Sequence, residues 1–200
     1  QIRAIGYYAL DHAGKSIADL LASGSEFDSI CIPVSPILLV QEDFIDQVKR
    51  VIETYRIPEG KLALEVDDSA LSSIYLNVNI TMQELYDMGV ELVMNNFGSG
   101  CAPVTSILDL PVNTVKLERM FVWQLETNPK SASIAGGLIQ IAKDVETENQ
   151  LNALNSYECE YQQGFYYAPT MEFDVLKKVL GTTLEESRVT IEEEKLKMKR

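Results

Sequence analysis

The 200-residue sequence predicts an α/β protein with a mostly parallel sheet, of the (β/α)8 barrel type. Two observations lead to this fold class. Short apolar segments alternate with amphipathic segments over most of the chain, and short connections join them. Several predicted strands also end in polar residues, and such ends converge on one mouth of a parallel barrel. These strand-end residues are Ser35, the pair after Val66, Asn95–Asn96 and Lys116.

The first half of the chain shows the alternation most clearly. Apolar residues recur at helical spacing over 2–23 and 42–56. The apolar segments 29–35 and 62–66 are typical of buried strands, and 69–88 is predicted to be helical. This order predicts successive strands that lie side by side and are joined by helices.

The second half continues the alternation, with a strand at 90–94 that leads into a loop at Asn95–Asn96. The remaining strands are predicted at 114–118 and 164–169, and the helices at 104–109, 131–142, 145–155 and 173–180. Beyond Gly181 the composition becomes charged, with few large apolar residues. We therefore predict a globular domain over 1–180 and a charged helical tail or linker over 181–200.

The composition excludes several classes of partner. The formal net charge is −13, from 30 acidic and 17 basic residues, whereas nucleic acids and anionic membrane surfaces attract cationic proteins. The sequence contains no apolar run of membrane-spanning length and no signal-peptide pattern. Three widely spaced cysteines indicate reduced thiols in a cytoplasmic protein. The chain starts at Gln1, and we expect it to be a piece of a longer protein.

Four segments carry a more specific pattern. They are SICIPVSPILL (29–39), LALEVDDSAL (62–71), the segment from NNFGSG to MFV (95–122) and the segment from VETENQ to YYAPT (145–170). In this order and spacing they resemble the EAL phosphodiesterase domain, a bacterial family that linearises cyclic di-GMP with divalent metals. The resemblance covers residues 2 to about 178. It implies a modified (β/α)8 TIM-like barrel over 1–180, with the Glu-Ala-Leu strand expected before Gln1.

The resemblance locates the family's metal ligands, and most of them are replaced here. Magnesium and manganese prefer carboxylate oxygens. The ligand glutamate is retained as Glu65, whereas Pro33 stands for an asparagine and Asn95–Asn96 for a pair of aspartates. An amide offers a neutral oxygen that neither neutralises a dication nor accepts a proton. We therefore expect no bound metal, no other cofactor and no catalytic residue.

Other family positions are partly retained. Asp67–Asp68 replaces the Thr-Glu pair that follows the ligand glutamate, Lys116 is kept, and Glu118 replaces an aspartate. Gln163–Gly164 is also kept. These residues are the remaining candidates for contact with a nucleotide.

The segment before Val145 departs furthest from the family. The family pattern runs from a helix, through a strand, to Ala-Glu-Gly-Val-Glu, and the resemblance implies that the first Glu is catalytic. Here the predicted helix ends at Lys143, and Asp144 leads directly into Val145. We expect the strand and the catalytic glutamate to be missing and the barrel to be incomplete, with exposed sheet edges.

Three functions remain open. The first is a catalytically inactive EAL-like domain that acts as a regulatory or protein-interaction module in cyclic di-GMP signalling. This function implies a protein partner, and a homodimer is compatible with it. The second is a metal-independent cyclic di-GMP receptor. The third is a weak phosphodiesterase. The vestigial ligand-binding candidates are Glu65, Asn95, Asn96, Lys116 and Gln163.

Overall fold

The computed structural model describes residues 2–71, 78–97, 110–117, 119, 123, 141–142, 147–155, 161–162 and 165–198. The chain divides into two compact units. The first contains Gln1–Asp19 and Asp28–Glu118, and the second contains Leu20–Phe27 and Arg119–Arg200. The helix predicted at 104–109 lies outside the described residues, as does most of the helix predicted at 131–142.

The first unit alternates helices with parallel strands, as the sequence predicts. Its strands are β1 (Ile30–Val34), β2 (Leu62–Asp67), β3 (Glu91–Phe97) and β4 (Thr114–Leu117). Its helices are α1 (Ile2–Ala22, which runs on into the second unit), α2 (Pro36–Leu39), α3 (Phe44–Tyr55) and α4 (Val78–Asp87). Each strand pairs in parallel with the next one along the chain. The predicted α/β class with a parallel sheet is therefore confirmed.

The two faces of this sheet differ sharply in polarity. Side chains alternate between faces along a strand. One face carries the apolar residues of the core, which are at most 1% exposed: Leu62, Leu64, Val66, Leu92 and Met94. The opposite face carries the buried apolar residues Ala63 and Val93 and, towards the carboxyl ends of the strands, Glu65 and Asp67 of β2, Asn95 of β3 and Lys116 of β4. The sequence therefore places an apolar core on one side and the candidate site on the other.

Helix α1 is held to the following helices by both packing and hydrogen bonds. Its Arg3 donates to both carboxylate oxygens of Asp43, at 3.1 and 3.0 Å, and the Tyr7 hydroxyl donates to Asp43 Oδ1 at 2.8 Å. Gly14 lies so close to α3 that a Cβ there would come within 2.6 Å of side-chain carbons of Val51 and Tyr55. A glycine inside a helix normally lowers stability, so this close approach explains its presence.

The described residues of the second unit include two short strands and three further helices. Strands β5 (Ile141–Ala142) and β6 (Tyr161–Gln162) pair in parallel. The helices are α5 (Glu148–Asn155), α6 (Phe173–Leu180) and α7 (Leu184–Met198).

Three predicted elements differ from the structure. A 3-10 turn at Asp68–Leu71 precedes α4, so 69–88 is not one continuous helix. Within the strand predicted at 164–169, residues 165–167 form a turn instead, and the strand β6 lies earlier, at 161–162. Residues 141–142, predicted as the end of a helix, form β5. The last two errors fall on short apolar runs, for which periodicity does not separate helix from strand.

The helices in the described ranges lack the combination of length and apolar character that a membrane crossing requires.

Candidate functional site

The candidate site lies where the polar face of the sheet reaches the carboxyl ends of β2, β3 and β4. Register places Asp67 beside Asn95, and Glu65 between Pro33 and Val93. Ligands of open and closed parallel sheets bind at this end of the strands. Four of the five candidate residues predicted from the sequence are brought together here, namely Glu65, Asn95, Asn96 and Lys116.

Lys116 and Glu65 form the central contact of the site. Lys116 Nζ lies 2.6 Å from Glu65 Oε2, and the two side chains are only 10% and 15% exposed. The residues stand on β4 and β2, which flank β3, so the lysine side chain reaches across a whole strand. A charge-assisted bond of this length in a poorly solvated place is stronger than an exposed ion pair. The retained carboxylate is therefore already neutralised by a side chain of the protein.

Asp67 is engaged on both of its carboxylate oxygens. Oδ1 accepts a hydrogen bond from the Ser69 backbone N–H at 3.0 Å, and Oδ2 accepts one from Asn96 Nδ2 at 2.7 Å. The amide of Asn96 can make the second bond because it carries N–H donors, which a carboxylate lacks. The asparagine thus joins the ends of β2 and β3 through a contact that an aspartate there could not make unless one of the acids were protonated.

The loop predicted at Asn95–Asn96 is not observed, because both residues belong to β3. The register with β4 shifts between Met94 and Phe97, and Asn96 has a φ of +55°. Asparagine tolerates this left-handed conformation better than most residues. Phe97, at 1% exposure, anchors the end of the strand in the core. The irregularity places two adjacent amides at the rim of the site without ending the strand.

Pro33 and Cys31 occupy the first strand of the site. Among the strands described, β1 pairs with β2 only, and a proline is tolerated at such an edge because it lacks an N–H. The Cys31 thiol, although exposed, donates to Glu65 Oε2 at 3.7 Å. Loss of water around the sulfur raises the pKa of Cys31 to about 11, and Glu65 adds to the shift while Lys116 opposes it. The thiol is therefore protonated at neutral pH.

Two further sequence-predicted positions, Gln163 and Glu118, lie outside the described residues. The position of β5, however, corrects the expectation that a strand is missing before Val145. With Ile141–Ala142 as a strand, Ala142 to Glu146 aligns without a gap to the family pattern Ala-Glu-Gly-Val-Glu. This alignment sets Lys143 at the position of the glutamate. The signal was present in the sequence, but the apolar run before Lys143 was assigned to a helix.

The chemistry of this donor set does not fit a divalent cation. Of the metal-ligand positions that the resemblance locates within residues 1–200, Glu65 alone keeps a carboxylate, and Lys116 pairs with it. Pro33 offers no side-chain donor, and the Asn96 amide is turned as a donor towards Asp67. The described part of the chain contains no cluster of three or more acidic, histidine or cysteine residues that could hold a metal. What remains is a set of amides and paired charges suited to hydrogen bonding.

Known proteins similar to this chain share both its fold and its sequence pattern. The EAL domain of Mycobacterium smegmatis DcpA superposes with a TM-score of 0.82 at 26% identity, covering 90% of this chain and 85% of that one. The PaMucR phosphodiesterase in complex with c-di-GMP superposes with a TM-score of 0.80 at 25% identity, covering 88% and 74%. Among curated proteins, the cyclic di-GMP phosphodiesterase PA2567 of Pseudomonas aeruginosa is 25% identical over 179 residues, which are 85% of this chain and 30% of that protein.

The curated relatives are much longer than the matched segment, since the chain spans between 22% and 30% of the length of the first of them. The family similarity itself is extensive: the sequence profile of the EAL domain matches residues 1–170. The fold predicted from the resemblance, of the TIM-like barrel type, is confirmed by the superpositions. This chain belongs to the EAL domain family.

Proposed function

We propose that this chain is a catalytically inactive EAL domain that acts as a regulatory module in cyclic di-GMP signalling. The observation that carries the proposal is the pairing of its remaining charges. Glu65 is neutralised by Lys116 at 2.6 Å, and Asp67 is held by Asn96 at 2.7 Å. A phosphodiesterase that uses metal ions needs carboxylates that are free to bind them and to activate water. Here each described acid of the site has a partner supplied by the protein.

The alignment of Lys143 supports the same conclusion independently. A glutamate at that position could accept or donate a proton during hydrolysis and could bind a cation, whereas a lysine has no carboxylate and its ammonium form carries the opposite charge. Three separate family positions therefore carry residues of the wrong chemistry, namely Pro33, the Asn95–Asn96 pair and Lys143. Restoring any one of them alone leaves the other two unsuited to catalysis.

A second candidate function is a receptor that binds cyclic di-GMP without metal. Neutral amides at Asn95 and Asn96 and the nearby cation of Lys116 can bond to guanine edges and to a phosphate. Nucleotide binding would then have to compete with the internal pairs. A protein partner, a homodimer and the boundary of the tail at 181 remain predictions from the sequence.

Calorimetric titration of cyclic di-GMP, with and without Mg²⁺ or Mn²⁺, tests both candidates when the same samples are analysed for the linear product. We expect no product under any condition. Heat of binding that does not depend on metal would identify a receptor, and absence of heat would leave the regulatory module that acts through a protein partner. Metal-dependent formation of the linear product would refute the proposed loss of catalysis.

A further inference from the structure

The short helix α2 and the start of α4 meet in a part of the first unit that leaves three aliphatic side chains in solvent. Thr81 Oγ1 donates to the Leu39 carbonyl at 2.9 Å, so α4 and α2 are in contact at this point. Ile80 and Val40 are the chain neighbours of these two residues, and they are 62% and 40% exposed. Ile37, one helical turn before Val40, is 42% exposed. The three side chains start from neighbouring points of the backbone and form an exposed apolar patch.

The outward side of α4 continues this patch with acidic residues. Ile80, Gln83, Glu84 and Asp87 are all exposed, and their spacing of three and four residues places them on one side of the helix. Gln83 Nε2 donates to Asp87 Oδ1 at 2.8 Å. Along this side of α4, an exposed isoleucine is therefore followed by two carboxylates.

The surroundings of the patch along the chain are also acidic. The sequence has no lysine, arginine or histidine within 16–48 or within 62–115, and α2 and α4 lie in these two stretches. Glu42 and Asp46, which follow α2, are exposed as well. Arg3 of α1 approaches this region, but its guanidinium group is bound to an aspartate there. The patch is therefore an apolar surface beside carboxylates.

We infer that the α2/α4 surface, made by Ile37, Val40, Ile80, Glu84 and Asp87, docks a cationic amphipathic helix of another protein. Aliphatic side chains on one side of such a helix cover the apolar patch, and the lysine or arginine residues beside them pair with the carboxylates. A second copy of this chain does not fit, because pairing the surface with itself brings carboxylates together. The inference rests on the proposed regulatory function and specifies the chemistry of its protein partner.

Fluorescence anisotropy with a synthetic helical peptide of leucine and lysine tests the surface. The peptide carries leucine at helical spacing on one side and lysine on the other, and a peptide with glutamate in place of lysine is the comparison. We expect the native chain to bind the lysine peptide, more weakly as the salt concentration is raised, and not to bind the glutamate peptide. Equal binding of the two peptides, or no binding of the lysine peptide, would overturn the inference.

Two substitutions with matched controls locate the binding. Ile80→Ser is expected to weaken binding about tenfold relative to Ile5→Ser, because Ile5 is similarly exposed, at 68%, but lies on α1 outside the surface. Glu84→Lys is expected to weaken it relative to Glu53→Lys, which makes the same change of charge at an exposed position of α3. All four positions are exposed, so thermal unfolding of the variants should match the native chain. Equal affinities within either pair would overturn the inference.

Sedimentation of the native chain and of Ile80→Ser tests the alternative occupant. We expect the two proteins to sediment alike, and self-association that is lost in Ile80→Ser would overturn the inference in favour of a second copy. Failure of the surface and failure of the proposed function are distinguishable. Formation of the linear product refutes the loss of catalysis without affecting peptide binding, whereas failure to bind the lysine peptide overturns the surface without restoring catalysis.

Discussion

Lys116 on β4 reaches over β3 to pair with Glu65 on β2, with 2.6 Å between Nζ and Oε2. Neighbouring strands are about 4.8 Å apart, so only a long side chain can cover this distance. The pair brings a cation to the carboxylate that the family resemblance assigns to a metal. Three predictions concern this pair and its neighbours, and a fourth concerns Asp43.

Removal of one member of this pair should cost much more than removal of both. Lys116→Met leaves a poorly solvated carboxylate without its cation, and we expect a loss of about 3 kcal/mol in the free energy of unfolding. The double variant Glu65→Gln, Lys116→Met should recover a large part of the loss. Urea unfolding of the native chain, both single variants and the double variant completes the cycle. Losses in the two single variants that add up to the loss in the double variant would contradict a net interaction between the two charges.

Asn96→Asp should destabilise the end of β3. The substitution replaces the donor to Asp67 by a second carboxylate, which leaves two like charges in contact and removes a hydrogen bond of 2.7 Å. We expect a loss of about 1–3 kcal/mol at neutral pH. Thermal unfolding with and without Mn²⁺ measures it, and we expect no recovery with the metal because the remaining ligands do not fit. Full recovery in Mn²⁺ would show that a metal site needs only this one change. Asn96→Gly is the control that keeps the positive φ.

Cys31 should react slowly with alkylating reagents although it is exposed. With a pKa of about 11 instead of 9.0, its thiolate fraction at pH 8 is about 100-fold below that of an ordinary thiol. Peptide-resolved mass spectrometry of iodoacetamide labelling from pH 7 to 10 should show the rate still rising at the upper end. Glu65→Gln removes an acceptor and a negative charge, so it should speed labelling at each pH. A rate that only doubles between pH 9 and 10 would show that the pKa of the thiol stays near 9.0.

Asp43 should contribute to the loss of stability in acid. The hydrogen bond from Tyr7, followed by the charge of Arg3, lowers the pKa of Asp43 below its ordinary value. As the pH falls, Asp43 is therefore protonated in the unfolded chain before it is protonated in the folded chain. Its contribution to the free energy of unfolding is complete above about pH 4 and is lost as the pH falls below that value. Asp43→Asn should flatten the fall in stability between about pH 4 and 2. Asp46→Asn, in the first turn of the same helix, is the control. Parallel profiles for the native chain and Asp43→Asn would contradict the assignment.

Local pattern predicted the regular part of the fold well. The helix predicted at 42–56 appears as Phe44–Tyr55, and the strand at 62–66 appears as Leu62–Asp67. Both predictions follow from the spacing of apolar residues, which places them on one face of a helix or a strand, and this face packs in the core. The prediction failed at 164–169 and at 141–142, where short apolar runs give no period long enough to decide.

The sequence by itself determined the family, the order of the elements and which acids are replaced, because these depend on residue identity and spacing. Only the tertiary structure decided how the surviving polar groups are used. Lys116 and Glu65 are 51 residues apart, and Asn96 and Asp67 are 29 apart, so no local pattern relates either pair. Register and the two-residue alternation place Lys116 and Glu65 on one face, whereas the irregularity of β3 and the positive φ of Asn96 accompany its contact with Asp67. In the folded chain, the residues predicted to contact a ligand form two hydrogen-bonded pairs, Lys116 with Glu65 and Asn96 with Asp67.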